Sequence, residues 1–123
     1  RAQHLVASQT LHGGVVQGLG QALYEHVVYD DDGQLVSGSF MDYAMPRADQ
    51  VADVAVDFNE VLDPNNELGV KGIGEGGACA APSAVVNAVL DAMACRGVET
   101  IDMPMTPLRV WQALQEQDSR QSE

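Results

Sequence analysis

The chain has 123 residues, and its 18 acidic residues outnumber lysine plus arginine by 12, for a net charge of −12. That length suits one domain, and the negative excess disfavours nucleic acid and anionic membrane surfaces as partners. No apolar run long enough to span a bilayer and no basic-then-apolar leader is expected, so a cytoplasmic protein is anticipated; the first residue is Arg1, which fits a piece of a longer parent.

From Leu11 to Val28, Val15, Val16, Leu19, Ala22, Leu23 and Val27 recur at three- and four-residue steps, predicting a first helix. It carries Gly13, Gly14, Gly18 and Gly20, each costing about 1 kcal/mol of helix propensity relative to alanine. Close packing or a ligand must offset that cost. The glycine pair, taken as the helix start, is also expected to leave free N–H groups for an anion. Gln17 and Gln21 share one face and offer amides.

Asp30-Asp31-Asp32-Gly33 between short β-prone runs predicts a hairpin, and Asp53 to Phe58 alternates as a strand with one wet face. Pro82 is expected in the first turn of a second helix that Gly97 ends, with a short β-like run over Val98–Ile101 after it. Thr106 and Pro107 open a third helix, in which Trp111 is expected to be a core anchor. The fold class that follows is α+β: about three helices and a small mixed or antiparallel sheet over residues 1–114, then a polar disordered tail over 115–123.

Five glycines in the nine residues Gly69–Gly77 mark a loop that needs a close neighbour, and Glu75 is its one carboxylate, four residues after Lys71. Such an acid suits a general base exposed to a large bound group. The stretch Gly72–Gly77 also satisfies a dinucleotide-binding spacing, but a turn rather than a buried strand precedes it, and a purely structural loop remains an alternative. Cys79 and Cys95 form no disulfide framework and are expected to be small buried hydrophobes. His4, His12 and His26 lack ligand spacing, so no metal-ligating set is assigned.

Four ordered stretches carry a resemblance: Gly13 to Glu25, Phe40-Met41-Asp42-Tyr43-Ala44-Met45-Pro46, Gly69-Val70-Lys71-Gly72-Ile73-Gly74-Glu75, and Thr106-Pro107-Leu108-Arg109-Val110-Trp111. Together they resemble the C-terminal end of the molybdenum-binding subunit of the xanthine dehydrogenase and aldehyde oxidase family, closest to aerobic carbon monoxide dehydrogenase large chains. Asn66-Glu67 and Leu108-Arg109 depart from residues common in that family.

The resemblance implies a molybdenum-dependent oxidoreductase in which Glu75 is the general base beside the metal, taking a proton from a bound hydroxyl or water. It implies that Gln17 and Gly18, with Lys71, Gly72, Ile73 and Gly74, line a molybdenum–molybdopterin cytosine dinucleotide cofactor. Expected partners are the remainder of the molybdenum subunit and subunits holding FAD and iron–sulfur clusters. The piece alone is expected to be inactive, with uncovered faces that favour homo-oligomers; the alternative is a non-catalytic binding or oligomerisation module.

Overall fold

The computed structural model describes residues 2–121. Helix α1 (Ala2–Leu23), a 3-10 turn (Ala48–Gln50), helix α2 (Gly76–Ala94) and helix α3 (Pro107–Gln121) follow in order. Among the described residues there is no β-strand, only a single antiparallel bridge between Tyr29 and Leu35. The expected α+β class with a small sheet is therefore overturned, and the architecture is helical.

The reason is pairing, not local preference. Asp30 Oδ1 accepts the N–H groups of Asp32 and Gln34 at 3.0 and 2.8 Å, and Gly33 takes φ +80°, so the expected turn forms. Its arms then diverge after one bridge. Along 53–58, Val54, Val56 and Phe58 are half-buried while Asp53, Ala55 and Asp57 are exposed, as alternation requires. A strand also needs a neighbour to bond its N–H and C=O groups, and the described residues supply none to this stretch. Val98–Ile101 is non-strand for the same reason.

Helix α1 begins nine residues before the expected Leu11, because Ala2 to Thr10 contains neither glycine nor proline to stop it. Gly13 and Gly14 thus lie mid-helix, where N–H groups bond the preceding turn, and the anion site expected at a helix start is absent there. The helix closes where Tyr24 and Glu25 both donate to the Gly20 carbonyl at 2.9 and 2.8 Å, ahead of the β-branched pair Val27-Val28.

Helices α1 and α2 cross through residues without bulk. A Cβ on Gly77 would stand 2.6 Å from both Leu11 O and Val15 N, and one on Gly14 would stand 3.0 Å from Ala78 N. One turn on, a Cβ on Gly18 would meet Ala81 Cβ at 2.7 Å. The pairing runs Gly14 to Gly77 and Gly18 to Ala81, so the helices advance in the same sense along the contact. Backbone touching backbone supplies the close packing that offsets the helical glycines.

Helix α2 starts six residues before Pro82, with Glu75 as its N-cap, so Pro82 sits inside the helix rather than in its first turn. By length and composition alone α2 matches a membrane-crossing helix, which the sequence reading did not anticipate. Its apolarity comes from Val85, Val86, Val89 and Leu90 together with the alanines along its length, only a small part of which is buried against other described residues. Gly97 takes φ +77° and ends it as expected.

Among the described residues the core is small: Ala22, Ala81, Met93, Val98, Pro104 and Met105 are buried apolar residues. Met105 N–H donates to Ala22 O at 2.7 Å, fastening the 98–106 connection to the end of α1. Thr106 and Pro107 open α3 as expected, with Val110 N–H bonded to Thr106 O at 3.0 Å. The helix continues to Gln121, through the stretch expected to be a disordered tail from 115; residues 122 and 123 lie outside the described ones. Trp111 is 57% exposed on α3, so it is not a core anchor. Cys79 on α2 and Cys95, the C-cap residue just past its end, are exposed rather than buried.

Candidate functional site

The approach to Glu75 is built by side chains that mimic backbone. Asn66 Oδ1 accepts Val70 N–H and its Nδ2 donates to Val70 O, both at 3.1 Å, while Asp63 N–H donates to Gly69 O at 3.0 Å. Gly69 takes φ +64° to make that turn. With Glu67 in the turn, Asn66, Asp63 and Gly69 close it between them. From there Val70 to Gly74 runs over the surface to the start of α2, where Gly76 N–H meets Ile73 O at 3.1 Å.

Glu75 ends this run as the N-cap of α2. Its carbonyl accepts Cys79 N–H at 3.0 Å, whereas its carboxylate makes no capping hydrogen bond and is exposed. The acid is held by its backbone and its side chain is left for something else. The positive end of the α2 dipole lies at the same point and favours an anionic group held there. Among the described residues Lys71 forms no ion pair with Glu75. Lys71 and Ile73 instead help line a groove of about 330 Å³ with His4, Phe58 and Glu60, where His4 Nε2 lies 3.0 Å from a Glu60 carboxylate oxygen.

Gln17 is exposed on α1, four residues from Gly13 and so on the same face. Gly18 is buried and faces Ala78, Ala81 and Pro82, so its lack of a side chain has a packing reason within the chain. Because Gly14 touches Gly77, the Gly13–Gln17 segment of α1 runs beside the N-terminal end of α2, which Glu75 caps. No group of histidine, cysteine and acid side chains suited to a metal ion occurs among the described residues.

The glycines sort by what each one needs. Gly33, Gly69 and Gly97 need positive φ; Gly14, Gly18, Gly20 and Gly77 need the room. Gly13, Gly72 and Gly74 have neither a positive φ nor any atom within 4 Å of an added Cβ. From the sequence, Gly13 is one of four helix glycines that need packing or a ligand to offset their cost, and one of the pair at the expected helix start. The signal that identifies it is a mid-helix glycine in open space beside Gln17, visible only once the helix bounds are known.

Residues 3–52 match the molybdopterin cofactor-binding domain family. The 6-hydroxypseudooxynicotine dehydrogenase complex subunit gamma of Paenarthrobacter nicotinovorans is 42% identical over 104 residues, 84% of this chain and 13% of that protein. Residues 3–52 belong to the molybdopterin cofactor-binding domain family, and the chain as a whole is similar to molybdenum-binding subunits of the xanthine dehydrogenase family. Any stretch of 104 in 123 residues includes Glu75, so similarity to this family extends beyond the matched domain to the loop. The carbon monoxide dehydrogenase large chain of Hydrogenophaga pseudoflava is 31% identical over 94% of this chain and 14% of its own. Among solved structures of the family, quinoline 2-oxidoreductase from Pseudomonas putida 86 superposes with a TM-score of 0.87 at 40% identity, covering 91% of this chain and 14% of that one. The chain thus spans about one-seventh of the length of these family members.

Proposed function

We propose that this chain is the part of a molybdenum-cofactor oxidoreductase that supplies its general base, Glu75, and part of the cofactor wall. The observation that carries this reading is the set of glycines that nothing in the chain requires. Gly13, one turn before Gln17, and Gly72 and Gly74, just before Glu75, each have open space where a Cβ would stand, room that a flat ring system can use. The residues therefore fit the group.

When bound, the molybdenum–molybdopterin cofactor, proposed here in its cytosine dinucleotide form, supplies the oxidant for a two-electron oxidation. The chain's own residues do the rest. Gln17 presents amide donor and acceptor atoms to a polar ring edge. Lys71 offers an ammonium to anionic parts, and the backbone of Gly72, Ile73 and Gly74 borders the rings. The Glu75 carboxylate accepts the proton of the hydroxyl or water whose oxygen attacks the substrate. Gly18 takes part through packing.

The exposed apolar side chains Phe40, Met41 and Leu68, at 83, 96 and 81% exposure, are faces for the remainder of the molybdenum subunit to cover. The FAD and iron–sulfur subunits belong to the assembled parent in this proposal, and the chain alone does not turn over substrate. The test is to assay molybdenum and releasable cytidine nucleotide in the full-length parent beside this chain. Near-stoichiometric amounts in the parent and none in the chain are expected. A properly matured parent without either would overturn the proposal in favour of a non-catalytic module.

A further inference from the structure

We infer that Gly77 is a positioning residue for Glu75, with Gly14 as its counterpart: their contact fixes where the N-terminus of α2, and so the carboxylate, stands relative to the Gly13–Gln17 face. The inference rests on the proposed role of Glu75. It is carried by what Gly77 touches. Leu11 O and Val15 N at 2.6 Å and Gly14 C at 2.9 Å from an added Cβ are all main-chain atoms inside α1, and none can rotate aside. Comfortable carbon contacts lie near 3.5 Å or more, so any side chain at 77 must lift α2 from α1 by about 1 Å.

Glu75 would move with it. It is the N-cap of α2, joined to that helix by the Cys79 N–H to Glu75 O bond at 3.0 Å, and only Gly76 separates it from the contact. The neighbouring glycines grade the effect. A Cβ on Gly14 would meet Ala78 N at 3.0 Å and Gly77 Cα at 3.1 Å, requiring a shift of a few tenths of an ångström. A Cβ on Gly76 would meet Leu11 Cδ2 at 3.5 Å, an ordinary contact that moves nothing. Gly76 is nearer to Glu75 in sequence than Gly77 is, so distance along the chain and wedging make opposite forecasts.

The experiment compares G76A, G14A, G77A and E75Q in the full-length holoenzyme. Molybdenum content, kcat per molybdenum, KM and the paramagnetic resonance spectrum of the reduced metal centre are measured for each. Expected are near-normal kcat for G76A, about tenfold loss for G14A and about 10²-fold loss for G77A, with little change in KM. Molybdenum content stays constant, and the spectrum departs from wild type in the same order. If G77A does not assemble, G14A against G76A carries the comparison. A graded loss of molybdenum with kcat per molybdenum unchanged would overturn the inference, since that is what packing alone produces. An inactive E75Q with G14A and G77A at the wild-type rate would remove the positioning role alone; a fully active E75Q would remove the base assignment and this inference with it.

Discussion

Gly18 lies under Pro82: a Cβ on Gly18 would stand 2.8 Å from Pro82 Cδ, 2.7 Å from Ala81 Cβ and 3.3 Å from Ala78 O. The proline leaves the Ala78 carbonyl without its usual N–H partner four residues on, and the glycine lets α1 close over that gap. G18A should therefore destabilise the chain by about 1–3 kcal/mol through overpacking, although alanine is the better helix former. Denaturant unfolding of G18A against wild type checks this; an unchanged or raised midpoint would contradict the packing role.

Gly13 should respond in the opposite direction. With nothing within 4 Å of an added Cβ, G13A should stabilise the isolated chain by about 1 kcal/mol, the helix-propensity difference. In the full-length parent the same methyl intrudes on the cofactor's proposed space. Molybdenum retention should fall there even as the unfolding midpoint of the isolated chain rises. Unchanged metal content in the parent would mean that the room beside Gln17 serves something else.

Gly69 holds φ +64°, and its Cβ position is 3.0 Å from Leu62 Cβ. G69A should cost about 1–2 kcal/mol from the left-handed backbone alone. Amide exchange should rise at Asp63 and Val70, whose N–H groups bond Gly69 O and Asn66 Oδ1.

Arg109 belongs to Leu108-Arg109, one of the two residue pairs that depart from the resemblance, and it holds part of the fold together. Its Nη1 donates to Met103 O at 3.0 Å, with Asp102 O and Pro104 O at 3.4 Å. R109A should loosen the connection that Met105 fastens to Ala22, at a cost of about 1 kcal/mol. Faster exchange of the Met105 amide is the readout. At the far end of α3, Arg96 bonds Asp118, and that hydrogen bond first, then the charge, raises the Arg96 guanidinium above its ordinary value. Since a raised basic group loses its contribution only as pH climbs through the folded value, this pair contributes no pH dependence near neutrality.

What the sequence made legible was whatever its own neighbours decide. The Thr106-Pro107 start, the Gly97 stop and the Asp30–Gly33 turn depend on a few adjacent residues, and each stands where expected. The sheet did not follow, because alternation along 53–58 sets only which side chains turn inward; pairing needs a second strand. Pro82 reads as a first-turn marker, yet α2 starts six residues earlier, at Gly76. Gly76 and Gly77, assigned to the loop, are helical because the contact with α1 outweighs their propensity. Trp111 and the two cysteines were read as buried from their apolar character, but burial depends on a neighbouring face that the described residues do not supply. At the proposed site, Glu75 and Gln17 stand out by motif, whereas the open space at Gly13 follows only from the helix geometry.

The most direct measurement is turnover per molybdenum in the full-length parent carrying Glu75→Gln. The change keeps the N-cap backbone and the side-chain size and removes only the proton acceptor. Molybdenum at the wild-type level with kcat lowered at least about 10²-fold is the predicted result. Unchanged turnover at full metal loading would contradict the assignment of Glu75 as the base.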